Sequence, residues 1–523
     1  ACLVGSEMCI RDSFKLDGDK VTGSVNVKNT GSTPGREVVQ IYCSAPQGKL
    51  GKPARVLCGF DKTRTLQPGE SQTLSFEIPL ESVASYDDSG VTGHKSAWIL
   101  EQGGYVFYAG ADVRSASEAY SLTLPETVVR QCKSALGPLT AFKRMVNSSG
   151  KPEFEDVPLT GEAFPHDHAK LPAEIPQTGD RGIRLADVVN GKNTLEEFTA
   201  QLTDYDLSCI IRGEGMGSPK VTAGTAAAFG GVSDTLTALG IPCACCDDGP
   251  SGMRLDCGTK AFSLPNGTLL ASTFDRPLMT ELFTFMGLEM HTNQVDCLLG
   301  PGMNIHRHPL NGRNFEYFSE DPYLTGEMAS AELAGLHSTG AEGTIKHFCG
   351  NNRETRRHFL DSVISERALR EIYLRGFEKA VKKGGAKSVM TTYGQVNGVW
   401  TAGNYGLVTG ILRDDWGFDG FTMTDWWANI NRRGKAPDKS DFAAMAMAQN
   451  DVYMVTADGA ACNDNTLDSL KSGELTRGEL QRNAMNILRF LTTTHAMKRV
   501  MGCDDETEII NRPADAGDVD STD

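Results

Sequence analysis

Nowhere along the 523 residues do about 18 or more apolar side chains follow one another, the length at which a helix could cross a bilayer. No membrane-spanning helix is expected, and the composition is that of a soluble globular protein. An excess of basic residues is missing too. The formal net charge is −16, and nucleic acid or an anionic membrane is held largely by Lys and Arg meeting phosphates, so neither is expected as a partner. A neutral small ligand fits better. The fourteen cysteines are dispersed, and the tightest cluster, Cys243, Cys245 and Cys246, lacks the paired spacing of a zinc site or redox motif. Reduced, mostly buried thiols are expected, which favours a reducing compartment, the cytoplasm. Residues 1–13 have neither the basic flank nor the apolar core of a secretory leader. They resemble a translated sequencing-adaptor tail more than natural protein, which carries the expectation that the true N-terminus is missing, and they are left out of the fold reading.

What is present reads as more than one domain, since the length exceeds a single average unit. Residues 14–125 contain short strands between turn signals: Val21, Gly23, Val25 and Val27 alternate with polar residues, an apolar run covers 38–43, and Leu66-Gln67-Pro68-Gly69-Glu70 turns the chain before 73–78. A β-sandwich is expected. Residues 126–180, with Pro152, Pro158, Pro165, Pro172 and Pro176, read as a long linker. From Thr194, which forms a helix-start signature with Glu197, strands and helices alternate. The best-defined helix is 365–383, with Ala368, Leu369, Ile372, Tyr373, Gly376, Phe377, Ala380 and Val381 on one face. Strand-like runs at 241–246, 295–299, 344–348, 388–393, 420–424 and 451–455 predict a (β/α)8 TIM-like barrel over 181–502. Residues 503–523 are acidic with few large apolar residues and read as a disordered tail.

In such a barrel, chemistry clusters where strands end at the C-terminal face. Asp425, in Thr422-Met423-Thr424-Asp425-Trp426-Trp427, sits there, a carboxylate beside flat apolar faces on which a sugar ring could stack. Its plainer role is to cap the next helix. Asp248-Gly249-Pro250-Ser251-Gly252-Met253-Arg254 sets an acceptor and a donor on one tight loop, although Asp-Gly-Pro turns are common. The aromatic-rich run from Gly312 through Arg313, Glu316 and Glu320 to Pro322 reads equally as an ion-pair network. Lys346 and His347 are adjacent on a strand, so alternation sends them to opposite faces unless a bulge or an unusual peptide geometry intervenes. Arg353 and Arg356 beside Glu354 fit a solvated charge cluster at least as well as a ligand contact.

Together, in order, spacing and residue type, these segments resemble glycoside hydrolase family 3 β-glucosidases. The stretch with Val38-Val39-Gln40-Ile41-Tyr42, Lys52-Pro53 and Leu66-Gln67-Pro68-Gly69-Glu70 resembles the fibronectin type III-like module attached to many of them. The resemblance implies a multidomain protein, a barrel preceded by that sandwich, acting as a retaining exo-β-glycosidase on small carbohydrate substrates without a cofactor. By position, Asp425 would be the nucleophile and Trp426 a stacking wall. Asp248, Arg254, Arg313, Lys346, His347, Arg357, Met390 and Tyr393 would line the sugar subsite, and no metal ligand is assigned. Two departures are Arg356 where Asn is usual, and no Pro after Met454.

Retaining hydrolysis needs a second carboxyl as acid/base. In the family this is typically a Glu on a separate α/β-sandwich domain. The order seen here, module before barrel, resembles a circularly permuted subgroup whose sandwich lies upstream, so the chain is expected to be a fragment lacking its acid. Cys349-Gly350-Asn351-Asn352 after Phe348 departs from the N-acetylglucosaminidase signature and favours the glucosidase or xylosidase branch. The alternatives are a β-xylosidase, a catalytically impaired sugar-binding remnant, or a metal-dependent barrel enzyme using Asp247, Asp248 and Asp425, for which the metal-ligand pattern is lacking.

Overall fold

Strand Ser71–Pro79 alternates outward and inward residues, turning Leu74, Phe76 and Ile78 to the inside. It pairs antiparallel with Lys20–Asn29, setting Val21 opposite Ile78, Gly23 opposite Phe76 and Val25 opposite Leu74. A methyl group on Gly23 would stand 2.3 Å from the Phe14 ring, so this glycine opens the space that Phe14 fills. The second sheet runs Ser117–Leu124, Gly103–Gly110, Val38–Ser44, Val56–Lys62. Its Val39, Ile41, Tyr105 and Phe107 share one apolar layer with Val25, Val27 and Phe76, as two stacked antiparallel sheets require.

The computed structural model describes residues 6–9, 14–148, 151–159, 171–432 and 434–504. Most of the adaptor-like start, residues 160–170 of the expected linker and the acidic tail from 505 onward lie outside the described residues. Contacts divide the chain into one unit of residues 1–161, 271–275 and 364–372, and a second of 162–270, 276–363 and 373–523. Ser6–Cys9, set aside in the sequence reading, pairs antiparallel with residues 26–29 at the edge of the first sheet. The segment 126–180 is more structured than a linker. Thr127–Gln131 joins a three-stranded sheet with Ala97–Leu100 and Ser85–Asp87, and Lys143–Ser148 forms a hairpin with Lys151–Asp156. Opposite charges face each other across that hairpin, Lys143 with Asp156 and Arg144 with Glu155, while Met145 and Phe154 are exposed; it carries no buried alternation for a pattern search to find.

The second unit is built on eight strands: β1 Arg212–Glu214, β2 Ala227–Gly230, β3 Cys243–Asp248, β4 Cys297–Leu299, β5 Glu342–Phe348, β6 Ser388–Thr391, β7 Phe421–Met423 and β8 Tyr453–Thr456. The order is β7-β6-β5-β4-β3-β2-β1-β8, and a parallel bridge between Met423 and Val452 nearly closes the ring. One feature departs from the expected (β/α)8 pattern. β2 runs antiparallel to both neighbours, because residues 215–226 connect it to β1 with no helix among them, and a parallel pairing needs a crossover, usually helical. The helix expected over 365–383 is interrupted by a π-helical turn, Leu369–Tyr373, between Glu366–Ala368 and Arg375–Lys382. The wider turn shifts the phase, so Leu369, Phe377 and Ala380 are buried while Ile372 is exposed.

In the first unit Lys52 and Glu101 form an ion pair whose side chains are 3% and 4% exposed. Glu101 also accepts from the Lys49 amide at 2.6 Å, and Lys52 donates to the Pro46 carbonyl at 3.0 Å. Burial pulls the Lys52 pKa down against the pull of Glu101. Glu101→Gln is expected to destabilise the unit by about 3–5 kcal/mol in urea unfolding, because it strands a buried ammonium. Lys52→Met with Glu101→Leu should recover most of that loss, and an unchanged midpoint for the single variant would show that the pair is not structural.

Candidate active site

Asp425 follows β7 at the C-terminal mouth of the barrel. Its carboxylate is 6% exposed at the floor of a cavity of about 330 Å³, which suits a single sugar ring better than an extended chain. The Trp426 amide donates to Asp425 Oδ1 at 2.8 Å, while Oδ2 keeps no well-directed hydrogen bond and His347 Nε2 stands 3.8 Å away. Burial pushes the Asp425 pKa up to about 6 although Arg313, Lys346 and Arg357 pull it down.

All ten residues singled out in the sequence line this one cavity, together with Met216, Asp256, Leu299 and Trp427 among others. Asp248 ends β3, and Lys346 Nζ donates to its Oδ1 at 3.0 Å. Burial would raise the Asp248 pKa, but Lys346, Arg313 and Arg254 overcome it and hold the carboxyl below its usual value. The loop after Asp248 doubles back so that the Arg254 amide donates to the Asp248 carbonyl at 2.9 Å. Gly249 has φ +127°, and a Cβ there would meet the Gly252 carbonyl at 2.4 Å, so this turn requires glycine. Arg254 itself is at the rim, well exposed and paired with Asp256 at 3.0 Å.

Lys346 and His347 both reach the cavity. The β5–β6 ladder is irregular between Ile345 and Phe348 and the Lys346–His347 peptide is cis, the departure from plain alternation that their shared face required. A hydrogen-bonded chain stands behind His347: Asn351 Nδ2 donates to Tyr317 Oη at 2.9 Å, and Tyr317 Oη lies 3.1 Å from His347 Nδ1. The His347 amide donates to Asn304 Oδ1 at 2.9 Å, which also lies 3.4 Å from Nδ1, and Nε2 faces Asp425. Burial, with Arg313, Lys346 and Arg357 nearby, holds the His347 pKa well below its ordinary value, so the ring is neutral. Asn351 also donates to Glu354, whose other oxygen accepts from Arg357 at 2.8 Å. Arg357 lies 4.4 Å over the Tyr393 ring, and Arg313 is paired with Glu316.

Tyr317, Asn351 and Asn304 were missed by sequence reasoning, and Glu354 and Glu316 were read only as structural charges. None carries a motif of its own; an aromatic-rich loop beside an Asn pair was the available signal. Both tryptophans line the cavity. Trp426 is almost buried, whereas Trp427 is 48% exposed at the mouth with φ +54°, an outlier conformation for a bulky residue held by its amide donating to the Met454 carbonyl at 2.7 Å.

Fold and site together define a barrel protein with a polar, aromatic-walled ligand cavity at its C-terminal strand ends. The chain belongs to glycosyl hydrolase family 3: residues 180–490 match the glycosyl hydrolase family 3 N terminal domain, and residues 37–113 match the fibronectin type III-like domain. It is 65% identical over 502 residues to a beta-glucosidase of Ruminococcus albus, covering 96% of this chain and 53% of that protein. It is 37% identical over 508 residues to Beta-glucosidase A of Butyrivibrio fibrisolvens, covering 92% and 58%. Among solved structures, a beta-glucosidase from Paenibacillus barengoltzii superposes with a TM-score of 0.92 at 51% identity over 94% of this chain and 56% of that one. The chain thus spans little more than half the length of the curated relatives it matches.

The elevated Asp425 carboxyl is directly observable. In infrared titration the protonated-carboxyl band that is absent in Asp425→Asn should vanish through a midpoint of about 6. Arg313→Met, which removes a cation favouring the charged form, should move that midpoint upward. A midpoint in the ordinary Asp range would show that burial does not dominate.

Proposed function

We propose that this chain is the nucleophile-bearing part of a retaining exo-β-glucosidase that releases glucose from the non-reducing end of β-glucosides through a covalent glycosyl-Asp425 intermediate. The observation that carries this reading is one buried carboxylate, Asp425, lining a cavity sized for a single ring. The beta-glucosidases among the relatives support glucose as the sugar.

In this reading Asp425, ionised above about pH 6, attacks the anomeric carbon as the aglycone oxygen leaves with a proton, and water later cleaves the glycosyl ester. Neutral His347 and the Asp248–Lys346 pair supply donors and acceptors for the ring hydroxyls, and Trp426 and Tyr393 supply flat walls. The acid/base carboxyl we assign to a part of the protein outside this chain. The other acids of the cavity, Asp248 and Asp256, are committed to Lys346 and Arg254, and Asp248 is held low where a general acid must be held high.

Incubation with an activated 2-fluoro-glucoside followed by peptide mapping should put the label on Asp425, more slowly below pH 6 as the carboxyl protonates. A label on another residue would overturn the assignment. With the acid absent, activated aryl glucosides should be cleaved slowly and alkyl glucosides or cellobiose about 10²–10⁴-fold more slowly still; equal rates would place an acid within the chain. Glucose binding by calorimetry with no turnover of any aryl glycoside would instead identify a binding remnant, and faster cleavage of aryl xylosides would identify a xylosidase.

A further inference from the structure

At the opposite end of the barrel from the cavity, three ligating side chains converge. His291 lies in the last turn of the helix Arg276–Thr292. His495 opens the helix His495–Met501, and Asp504 follows it just past the left-handed Gly502. The Ala496 amide donates to Asp296, the residue before β4, which places the cluster where the strands begin. The three ligating atoms lie within 4.8 Å of one another. His495 Nδ1 is 2.7 Å from Asp504 Oδ1, His291 Nε2 is 3.6 Å from Asp504 Oδ2, and the two imidazole centroids are 4.0 Å apart.

The protonation pattern makes this arrangement informative. His495 Nε2 lies 2.9 Å from the Thr339 carbonyl, an oxygen that can only accept, so Nε2 carries the hydrogen. In a neutral ring Nδ1 then presents its lone pair, and it presents it to a carboxylate oxygen. Two such atoms 2.7 Å apart are held together by a positive charge, a second proton on the imidazole or a metal ion beside them. Two imidazole nitrogens and a carboxylate oxygen are a zinc-type donor set, and the Nε2–H to carbonyl contact is the outer hydrogen bond by which ligating histidines are oriented. A tetrahedral site with bonds of about 2.0–2.1 Å sets its donors about 3.3 Å apart, within the range spanned by the separations here. Arg499 is ion-paired with two carboxylates, 3.6 Å from Asp504 and 3.7 Å from the buried Asp296, so its charge is shared between them.

We propose that His291, His495 and Asp504 form a structural site for a divalent cation of zinc type, which fastens the helix His495–Met501 to the helix Arg276–Thr292 at the foot of the barrel. The chain, stripped with chelator and desalted, is titrated with Zn²⁺ against a competing chromophoric chelator, and its thermal unfolding is followed with and without Zn²⁺. One tight equivalent and a raised Tm are expected, and Co²⁺ in place of Zn²⁺ should give the visible absorption of a tetrahedral site. His291→Gln and Asp504→Asn, both at partly exposed positions, should each weaken binding by at least about ten- to a hundredfold, the loss that even outer-shell changes cause, and abolish the Tm gain; His94→Gln, on the sandwich, should change neither. Undiminished Zn²⁺ affinity in both site variants, or no Zn²⁺-dependent Tm shift in the unaltered chain, would overturn the proposal and leave an imidazolium–carboxylate ion pair.

Discussion

Everything at the mouth of the barrel depends on keeping one carboxylate ionisable where water hardly reaches it. Burial alone would drive Asp425 toward its neutral form, and the pKa of about 6 is the residue of that penalty after Arg313, Lys346 and Arg357 have acted against it. These cations do not come from one segment. Arg313 lies on the loop after β4, Lys346 lies on β5 itself and Arg357 lies on the loop beyond β5. The ionisation of one side chain therefore rests on the pairing of several strands, and loss of barrel register would change the chemistry before it exposed the core.

Cations this close to an anion could simply collapse onto it. What prevents this is that each has a carboxylate of its own: Arg313 has Glu316, Lys346 has Asp248, and Arg357 has Glu354. Their field reaches Asp425 while their own hydrogen bonds go to other carboxylates. The same logic orders His347. The chain from Arg357 through Glu354, Asn351 and Tyr317 ends on His347 Nδ1, and burial keeps that ring neutral, so no further positive charge faces Asp425.

Strands and site were legible in the sequence to different degrees, for physical reasons. The run 388–391 ends on Thr391 and the run 421–423 leads into Thr424 and Asp425, the mark of a buried parallel strand that delivers a side chain to the strand end. β1 and β2 leave no such mark. Arg212 is buried against Asp464 where a pattern search expects an apolar residue, and β2 is Ala227-Ala228-Phe229-Gly230, mostly too small to read. The π-helical turn at Leu369–Tyr373 escaped because periodicity is counted at 3.6 residues per turn. The exposure of Trp427 escaped because nothing in the sequence marks its positive φ. His291 lies some two hundred residues before His495 and Asp504 along the chain, and spacing carries no information at that range.

The near-closure of the barrel-like sheet and the placement of Asp425 rest on one set of hydrogen bonds. β7 and β8 pair only through the Met423–Val452 bridge, and the seam continues on the residues that bracket Asp425. The Thr424 amide donates to the Val452 carbonyl at 3.0 Å and the Trp427 amide to the Met454 carbonyl at 2.7 Å, while the Met454 amide donates to Thr424 Oγ1 at 2.8 Å. Asp425 and Trp426 thus lie between two anchors, Thr424 and Trp427, just past the end of β7. Its own Oδ1 is turned back to the Trp426 amide, and the strained backbone of Trp427 is tolerated because the seam over-determines it. A sheet that nearly closes at this seam fixes Asp425 at the same place, which is why the carboxylate sits on a strand end.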